Sequence, residues 1–310
     1  MKIHVIANFT AEQMALLKSA APGADFSAGF EDEKGLEAAE VLIGNPPLEL
    51  LPKLRAMKWL QLTNSGADQF TSGNVLGDGV LLTNSAGAYG LAVSDHLLAF
   101  TLMLFRHFHL YRDLQHEELW KSLGDIKSIE GSTAVIVGLG DIGCEYAKRF
   151  KQLGGHTIGI YNNNSGKREY VDELHHISEL DAQLPRADIV ALCVPSTAET
   201  RGMFSAERLS LMRSDCYLIN VGRGDAIDTM ALHEALSAGR LAGAALDVTS
   251  PEPLPEGHPL WQQKKAMITP HVAGNFHLPI TRQRVAEICA ANLGDYISNP
   301  DKLQKKAIKH

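Results

Sequence analysis

The stretch TAVIVGLGDIGCEYAKRF, residues 133–150, restricts the fold of this chain more than any other. A run of apolar, largely β-branched residues leads into glycines at 138, 140 and 143, then into a helical pattern with Ile142, Tyr146 and Phe150 on one face. A strand that turns tightly into a helix in this way opens a doubly wound parallel sheet. Gly138 lets the chain turn, Gly140 lets an anion approach the backbone, and Gly143 lets the helix press on the strand. The helix N-terminus adds N–H groups and a positive dipole end, so the pattern predicts a dinucleotide pyrophosphate at this turn.

The rest of the chain repeats the same rhythm. VLIG, WLQLT and VLLTN follow IHVIA as predicted strands in the first third, with AEQMALLKSA and PLELLPKLRAM as predicted helices between them. From Ala92 to Trp120 the apolar residues keep helical spacing without glycine or proline, which predicts one long helix. After TAVIVG come HTIGIY, ADIVALCVP, CYLINVG, LAGAALDV and AMITP, again separated by helices or loops. The expected fold class is therefore α/β, with two doubly wound parallel-sheet domains. A last helix near Leu278–Ser298 lies past the final strand, and packing back on the first domain would make that domain discontinuous.

Composition narrows the function classes. A formal net charge of −7, with basic residues scattered except near the C-terminus, offers no field for nucleic acid. Cys144, Cys193, Cys216 and Cys289 are widely spaced, without a CxxC pair, and read as reduced thiols. His96, His107, His109 and His116 fall in the long helical pattern without a matched carboxylate set, so no metal site is expected. No apolar run reaches the roughly 18 residues of a membrane span, and MKIHVIANFT has no cleavage-like site. A cytoplasmic protein without nucleic-acid or membrane partners is the expectation.

The coenzyme choice turns on the residues just beyond the second strand of the dinucleotide unit. HTIGIY ends at Tyr161, about 23 residues after Gly138, where an acid would hold the ribose hydroxyls and repel a 2′-phosphate. Here the chain reads Asn162, Asn163, Asn164, Ser165, Gly166, Lys167 and Arg168. Uncharged donors succeeded by two cations predict that NADP is accepted and preferred, with NAD possible.

Ionisable groups recur at the ends of later strands: Arg223 in INVGRGDAID, Glu252 in LDVTSPEPL and His271 in ITPHVAG. Strand carboxyl ends are where open α/β sheets bind ligands. An arginine can fork onto a carboxylate and its neighbouring carbonyl oxygen. A protonated histidine can pass a proton to a developing alkoxide, and a carboxylate beside it would hold the ring, with Glu252 the natural candidate. Reduction of a 2-oxo acid would need these groups.

These segments, together with GLGDIG, VPSTAETRG, DVTSPEPLPEGHPLW, TPHVAG, NSGADQF and NSAGAYGLAVSDHLLA, resemble the D-isomer-specific 2-hydroxyacid dehydrogenases over nearly the whole chain. The resemblance implies Arg223 as the substrate-binding and polarising residue, His271 as the acid/base and Glu252 as its partner. Coenzyme contacts are implied at Gly138, Leu139, Gly140, Asp141, Ile142 and Gly143, at Val194, Pro195 and Thr200, and at Val221, Gly222 and Arg223. Asp247, His271, Ala273 and Gly274 complete them, and the turn after Tyr161 adds the uncharged Asn162, Asn163 and Asn164 and the cation Lys167. Asn64, Ser65, Gly66 and Ala67 correspond to the substrate-carboxylate loop. The implied architecture is a Rossmann coenzyme domain, 98–275, inserted in a flavodoxin-like substrate domain, 1–97 with 276–310, usually as a homodimer. The formate-oxidising members have Gln where Glu252 stands, which speaks against that activity. A catalytically inactive NAD(P)-sensing protein of the same fold is the alternative, and the intact Arg, Glu and His argue against it.

Overall fold

The computed structural model describes residues 1–71, 73, 75–162, 168–274, 276 and 278–309. Contacts divide the chain into two compact units, Met1–Tyr89 with Asn275–His310, and Gly90–Gly274.

The first unit is built on a wholly parallel sheet of β1 (Lys2–Val5), β2 (Asp25–Ala28), β3 (Val41–Ile43), β4 (Trp59–Gln61) and β5 (Leu81–Thr83). Their order, β2-β1-β3-β4-β5, is the flavodoxin-like one. Leu42, Leu60 and Leu82 anchor one apolar cluster beside Phe70 and Leu76. The helix Pro279–Ser298 belongs to this unit and packs against the helix Ala11–Ala20. A buried polar pair fixes its placement, Asn292 Nδ2 donating to Gln61 Oε1 at 2.8 Å; within the sheet, Trp59 Nε1 donates to Thr83 Oγ1 at 2.8 Å. The Trp59 ring also stacks on Tyr296, with centroids 4.8 Å apart.

The second unit contains β6 (Thr133–Val137), β7 (His156–Tyr161), β8 (Glu173–His176), β9 (Ile189–Leu192), β10 (Tyr217–Asn220), β11 (Gly243–Leu246) and β12 (Ala266–Ile268). All neighbours are parallel, in the order β12-β11-β10-β9-β6-β7-β8. Counted from β6 this is the Rossmann order 3-2-1-4-5-6 with one further strand. The central strands are apolar along their length because helices cover both faces, and Val135, Ile158, Val190, Leu218 and Leu246 join one continuous core.

Several expectations need correction. PLELLPKLRAM forms only a 3-10 turn, Leu48–Lys53, because Pro52 lies inside it and has no N–H to continue a helix. The long helix expected over Ala92–Trp120 is two helices, Gly90–Phe105 and Phe108–His116, broken where His107 adopts φ 57° and its Nε2 meets Tyr217 Oη at 3.2 Å. β2 and β8 are strands that the apolar pattern did not predict. Both are outermost in their sheets, short, with polar residues among them and no fully buried side chain, so no hydrophobic run marks them. The compact units divide at Tyr89/Gly90, where the helix Gly90–Phe105 packs against the helix Asp141–Gln152 and strands β10 and β11.

Candidate active site

In the second sheet the strand order reverses between β6 and β9, the crevice where an α/β sheet takes its ligand. The glycine turn lies there. Gly138 has φ 97°, and a Cβ on it would stand 2.8 Å from the Cys193 carbonyl oxygen. A Cβ on Gly143 would stand 2.0 Å from the Gly138 oxygen, so helix and turn touch backbone to backbone. Gly140, at the N-cap of the helix Asp141–Gln152, is different: a Cβ there would meet nothing within 4 Å. That open space in front of a helix N-terminus fits a pyrophosphate, and the neighbouring acid does not oppose it. Asp141 turns its Oδ2 onto the Gly90 N–H, 2.6 Å away, at the start of the helix Gly90–Phe105. Leu139 is buried beneath the turn, and Ile142 is half-buried beside it.

The other expected coenzyme residues line the carboxyl ends of the neighbouring strands. Val194 and Pro195 come after β9, where Thr200 Oγ1 donates to the Pro195 oxygen at 2.6 Å and closes the loop. Val221, Gly222 and Arg223 come after β10, and a Cβ on Gly222 would stand 2.5 Å from the Val194 oxygen. The buried Asn220 clamps this turn, accepting from Gly222 N at 3.0 Å and donating to the Arg223 oxygen at 2.8 Å. Ala273 is buried and Gly274 half-buried after β12.

Asn162 is exposed at the end of β7, while Asn163, Asn164 and Lys167 lie outside the described residues. Arg168, by contrast, is well placed: its Cζ sits 5.0 Å from the centroid of the Tyr161 ring, whose edge-to-face neighbour is His176 at 5.7 Å. From the sequence Arg168 is only a second cation beyond the turn, and Tyr161 has no role. The available signal was an aromatic residue ending the strand with an arginine just beyond a polar turn.

Arg223, Glu252 and His271 stand beyond the carboxyl ends of β10, β11 and β12, three consecutive neighbours in the sheet. His271 Nδ1 lies 2.6 Å from Glu252 Oε1, and both side chains are about half exposed. The loops that carry Arg223 and Glu252 are pressed together, since a Cβ on Gly224 would stand 1.9 Å from the Thr249 oxygen. Arg223 directs Nη1 to the Gly222 oxygen at 2.8 Å. Asp247 is buried beneath this group; its carboxylate accepts from the N–H of Val272 at 2.9 Å and of Ala273 at 3.1 Å.

The expected substrate loop comes after β4 in the first unit. Asn64 and Ser65 are exposed, Gly66 is half-buried and Ala67 buried. The Asn64 oxygen accepts from Ser85 N at 3.0 Å and the Ser65 oxygen from Asn84 Nδ2, which shapes the loop by its carbonyls. Among the described residues no cluster of His, Cys, Asp or Glu could hold a metal, and no helix is long and apolar enough to cross a membrane.

Two parallel sheets and a glycine turn at a switch point form the frame that dinucleotide-dependent oxidoreductases use, and a His–Glu pair stands at the strand ends beside it. Residues 98–273 match the family described as D-isomer specific 2-hydroxyacid dehydrogenase, NAD binding domain. A glyoxylate reductase of Thermofilum pendens is 32% identical over 250 residues, covering 79% of this chain and 73% of the relative. A D-isomer specific 2-hydroxyacid dehydrogenase family protein of Aeromonas salmonicida superposes with a TM-score of 0.83 at 30% identity, covering 95% of both chains. A D-isomer specific 2-hydroxyacid dehydrogenase of Xanthobacter autotrophicus, solved with NADPH and MES, gives 0.79 at 26% identity over 96% of this chain and 94% of its own.

The chain belongs to the D-isomer specific 2-hydroxyacid dehydrogenase family. It is an NAD(P)-dependent enzyme of that family, acting between 2-oxo and 2-hydroxy acids.

Proposed function

We propose that the protein reduces a 2-oxo acid to the D-2-hydroxy acid with NADPH as its preferred coenzyme, and that His271 is the proton donor. The observation that carries the reading is the 2.6 Å contact between His271 Nδ1 and Glu252 Oε1. A carboxylate that accepts from Nδ1–H fixes the tautomer and leaves Nε2 to carry the transferable proton. The same pair argues against a retired, purely sensing site.

When bound, the reduced nicotinamide supplies a hydride to the carbonyl carbon. The glycine turn and the Asp141–Gln152 N-terminus would hold the pyrophosphate, and Val194, Pro195, Thr200 and Val221–Arg223 would flank the coenzyme along the strand ends. Arg223 binds the substrate carboxylate and draws electron density from the carbonyl oxygen, with its turn held by Asn220. His271 gives the Nε2 proton to that oxygen as negative charge develops, and Glu252 stabilises the ring before and orients it after the transfer. Ser65, Gly66 and Ala67 would receive the substrate carboxylate through backbone N–H groups, while the Asn64 N–H is directed at Asn45 Oδ1, 3.4 Å away.

NADPH is favoured because no acid ends β7 and because the Arg168 guanidinium lies over the Tyr161 ring beside it. Glyoxylate is the first substrate to try, given the Thermofilum pendens relative. The exposed Phe108, Leu119, Trp120 and Trp261 of the second unit support self-association as a homodimer, and four free thiols agree with a reducing, cytoplasmic location.

The deciding experiment measures initial rates on a panel of 2-oxo acids with NADPH and NADH, for the wild-type protein and for His271→Gln. Turnover should vanish in the variant while NADPH affinity stays near wild type. Survival of turnover would show the proton donor to be misassigned, and a strong NADH preference would overturn the coenzyme assignment.

A further inference from the structure

The turn that carries His271 is held largely from one residue, with the His271 N–H also shared with the Thr269 oxygen at 3.0 Å. His271 has φ 52°, in the left-handed region, which a non-glycine residue keeps only where its surroundings hold it there. Those surroundings are Asp247. Its main-chain oxygen accepts from His271 N at 2.8 Å, and its two carboxylate oxygens accept from Val272 N and Ala273 N. The orientation of that carboxylate therefore sets where the imidazole begins.

Two further side chains fix the carboxylate. Thr269 Oγ1 donates to Asp247 Oδ1 at 2.5 Å, and His96 Nε2, from the helix Gly90–Phe105, lies 3.2 Å from the same hydroxyl. The proton count along this row admits one direction. Both Asp247 carboxylate oxygens accept here and a threonine hydroxyl has a single proton, so that proton goes to Asp247 and His96 donates from Nε2–H. Burial pushes the His96 imidazole below its ordinary pKa, against the opposing charge of Asp247, which suits this neutral donor form. The ring is further set by an edge-on contact with Phe100, with centroids 4.3 Å apart. At its first residue the same helix meets the glycine turn through Gly90 N and Asp141 Oδ2.

We propose that His96 and Thr269 are positioning residues for the reaction: through Asp247 they hold the left-handed turn that places the His271 imidazole. Neither touches substrate. The proposal rests on the reading of His271 as proton donor. Because a displacement of about 1 Å can cost about 100-fold in rate, a loosened carboxylate beneath the turn is expected to act on kcat before it acts on coenzyme affinity.

The test compares wild type, Thr269→Val, Thr269→Ser and His96→Leu, using glyoxylate and the other panel acids with NADPH. Thr269→Val keeps the shape and removes the hydroxyl; kcat should fall by about 10- to 100-fold while NADPH affinity stays within a factor of about three. Thr269→Ser should restore kcat, and His96→Leu should act in the same direction as Thr269→Val. Hydrogen exchange over residues 269–274 gives a readout independent of turnover: the amides of Val272 and Ala273 should exchange faster in Thr269→Val and at the wild-type rate in Thr269→Ser. The proposal is overturned if Thr269→Val turns over like wild type, if it loses NADPH affinity as much as kcat, or if serine fails to rescue it. Wild-type protein inactive on every acid would overturn the functional reading and this proposal together, whereas active wild type with equally active Thr269→Val overturns the proposal alone.

Discussion

Replacing Gly140 by alanine separates coenzyme binding from folding. The residue has φ −80° and ψ −161°, an ordinary extended conformation, and the added methyl would meet no protein atom within 4 Å. Two small terms act on stability. Alanine restricts the unfolded chain, a gain of about 0.4–1 kcal/mol, and it is a poorer N-cap than glycine, a loss of about 0.5–1 kcal/mol. They nearly cancel, so the melting temperature should move by no more than about 2 °C. The methyl nevertheless occupies the space through which a pyrophosphate reaches the helix N-terminus. Forfeiting one charge-assisted hydrogen bond there costs about 1.5–3 kcal/mol, a rise of about 10- to 150-fold in Kd. Thermal melts and titration of NADPH fluorescence measure the two effects on the same preparation. Gly143→Ala is the contrasting variant: its methyl would stand 2.0 Å from the Gly138 oxygen, so binding and stability should fall together. Wild-type affinity of Gly140→Ala for both NADPH and NADH would refute the assignment of the phosphate site.

Two further outcomes are expected. Arg168→Gln removes the cation stacked on Tyr161, and KM for NADPH should rise about tenfold or more while KM for NADH hardly changes; equal losses with both coenzymes would count against a 2′-phosphate contact. Asp215 is held down to about 2, from an ordinary 3.8, chiefly by the hydrogen bond from Arg213 and then by Lys127. A depressed carboxylate stabilises the fold above its unfolded pKa and loses that contribution as pH falls through the folded one. The stability gap between wild type and Asp215→Asn should therefore narrow between about pH 4 and pH 2; the side chain is half exposed, so the gap is at most about 1 kcal/mol. Denaturant titrations at several pH values measure it, and a gap that stays constant would contradict the assignment.

Much of the site was legible because its chemistry is local in sequence. GLGDIG carries its own geometry, since strand, turn and helix are contiguous, and the candidate phosphate site can be read from three glycines. Arg223, Glu252 and His271 could be picked out because each comes a few residues after an apolar run, and a parallel sheet brings every such end to one side. The edge strands β2 and β8 escaped for the converse reason: with no fully buried side chain, they lack the buried runs that betray β6 and β9. The break at His107 was equally hidden, because nothing in an unbroken helical pattern announces a left-handed residue.

Periodicity and backbone freedom over a few residues were enough to set the alternation of strand and helix, the phosphate turn, and the kinds of group that stand at the strand ends. Pairing at a distance was settled only in the folded molecule. The Arg168 guanidinium over Tyr161, the Asn292 amide on Gln61, and the row from His96 through Thr269 to Asp247 join residues whose separation along the chain carries no periodic signal. Such contacts depend on strand register and on which helix covers which face, and these are fixed by packing of the whole core.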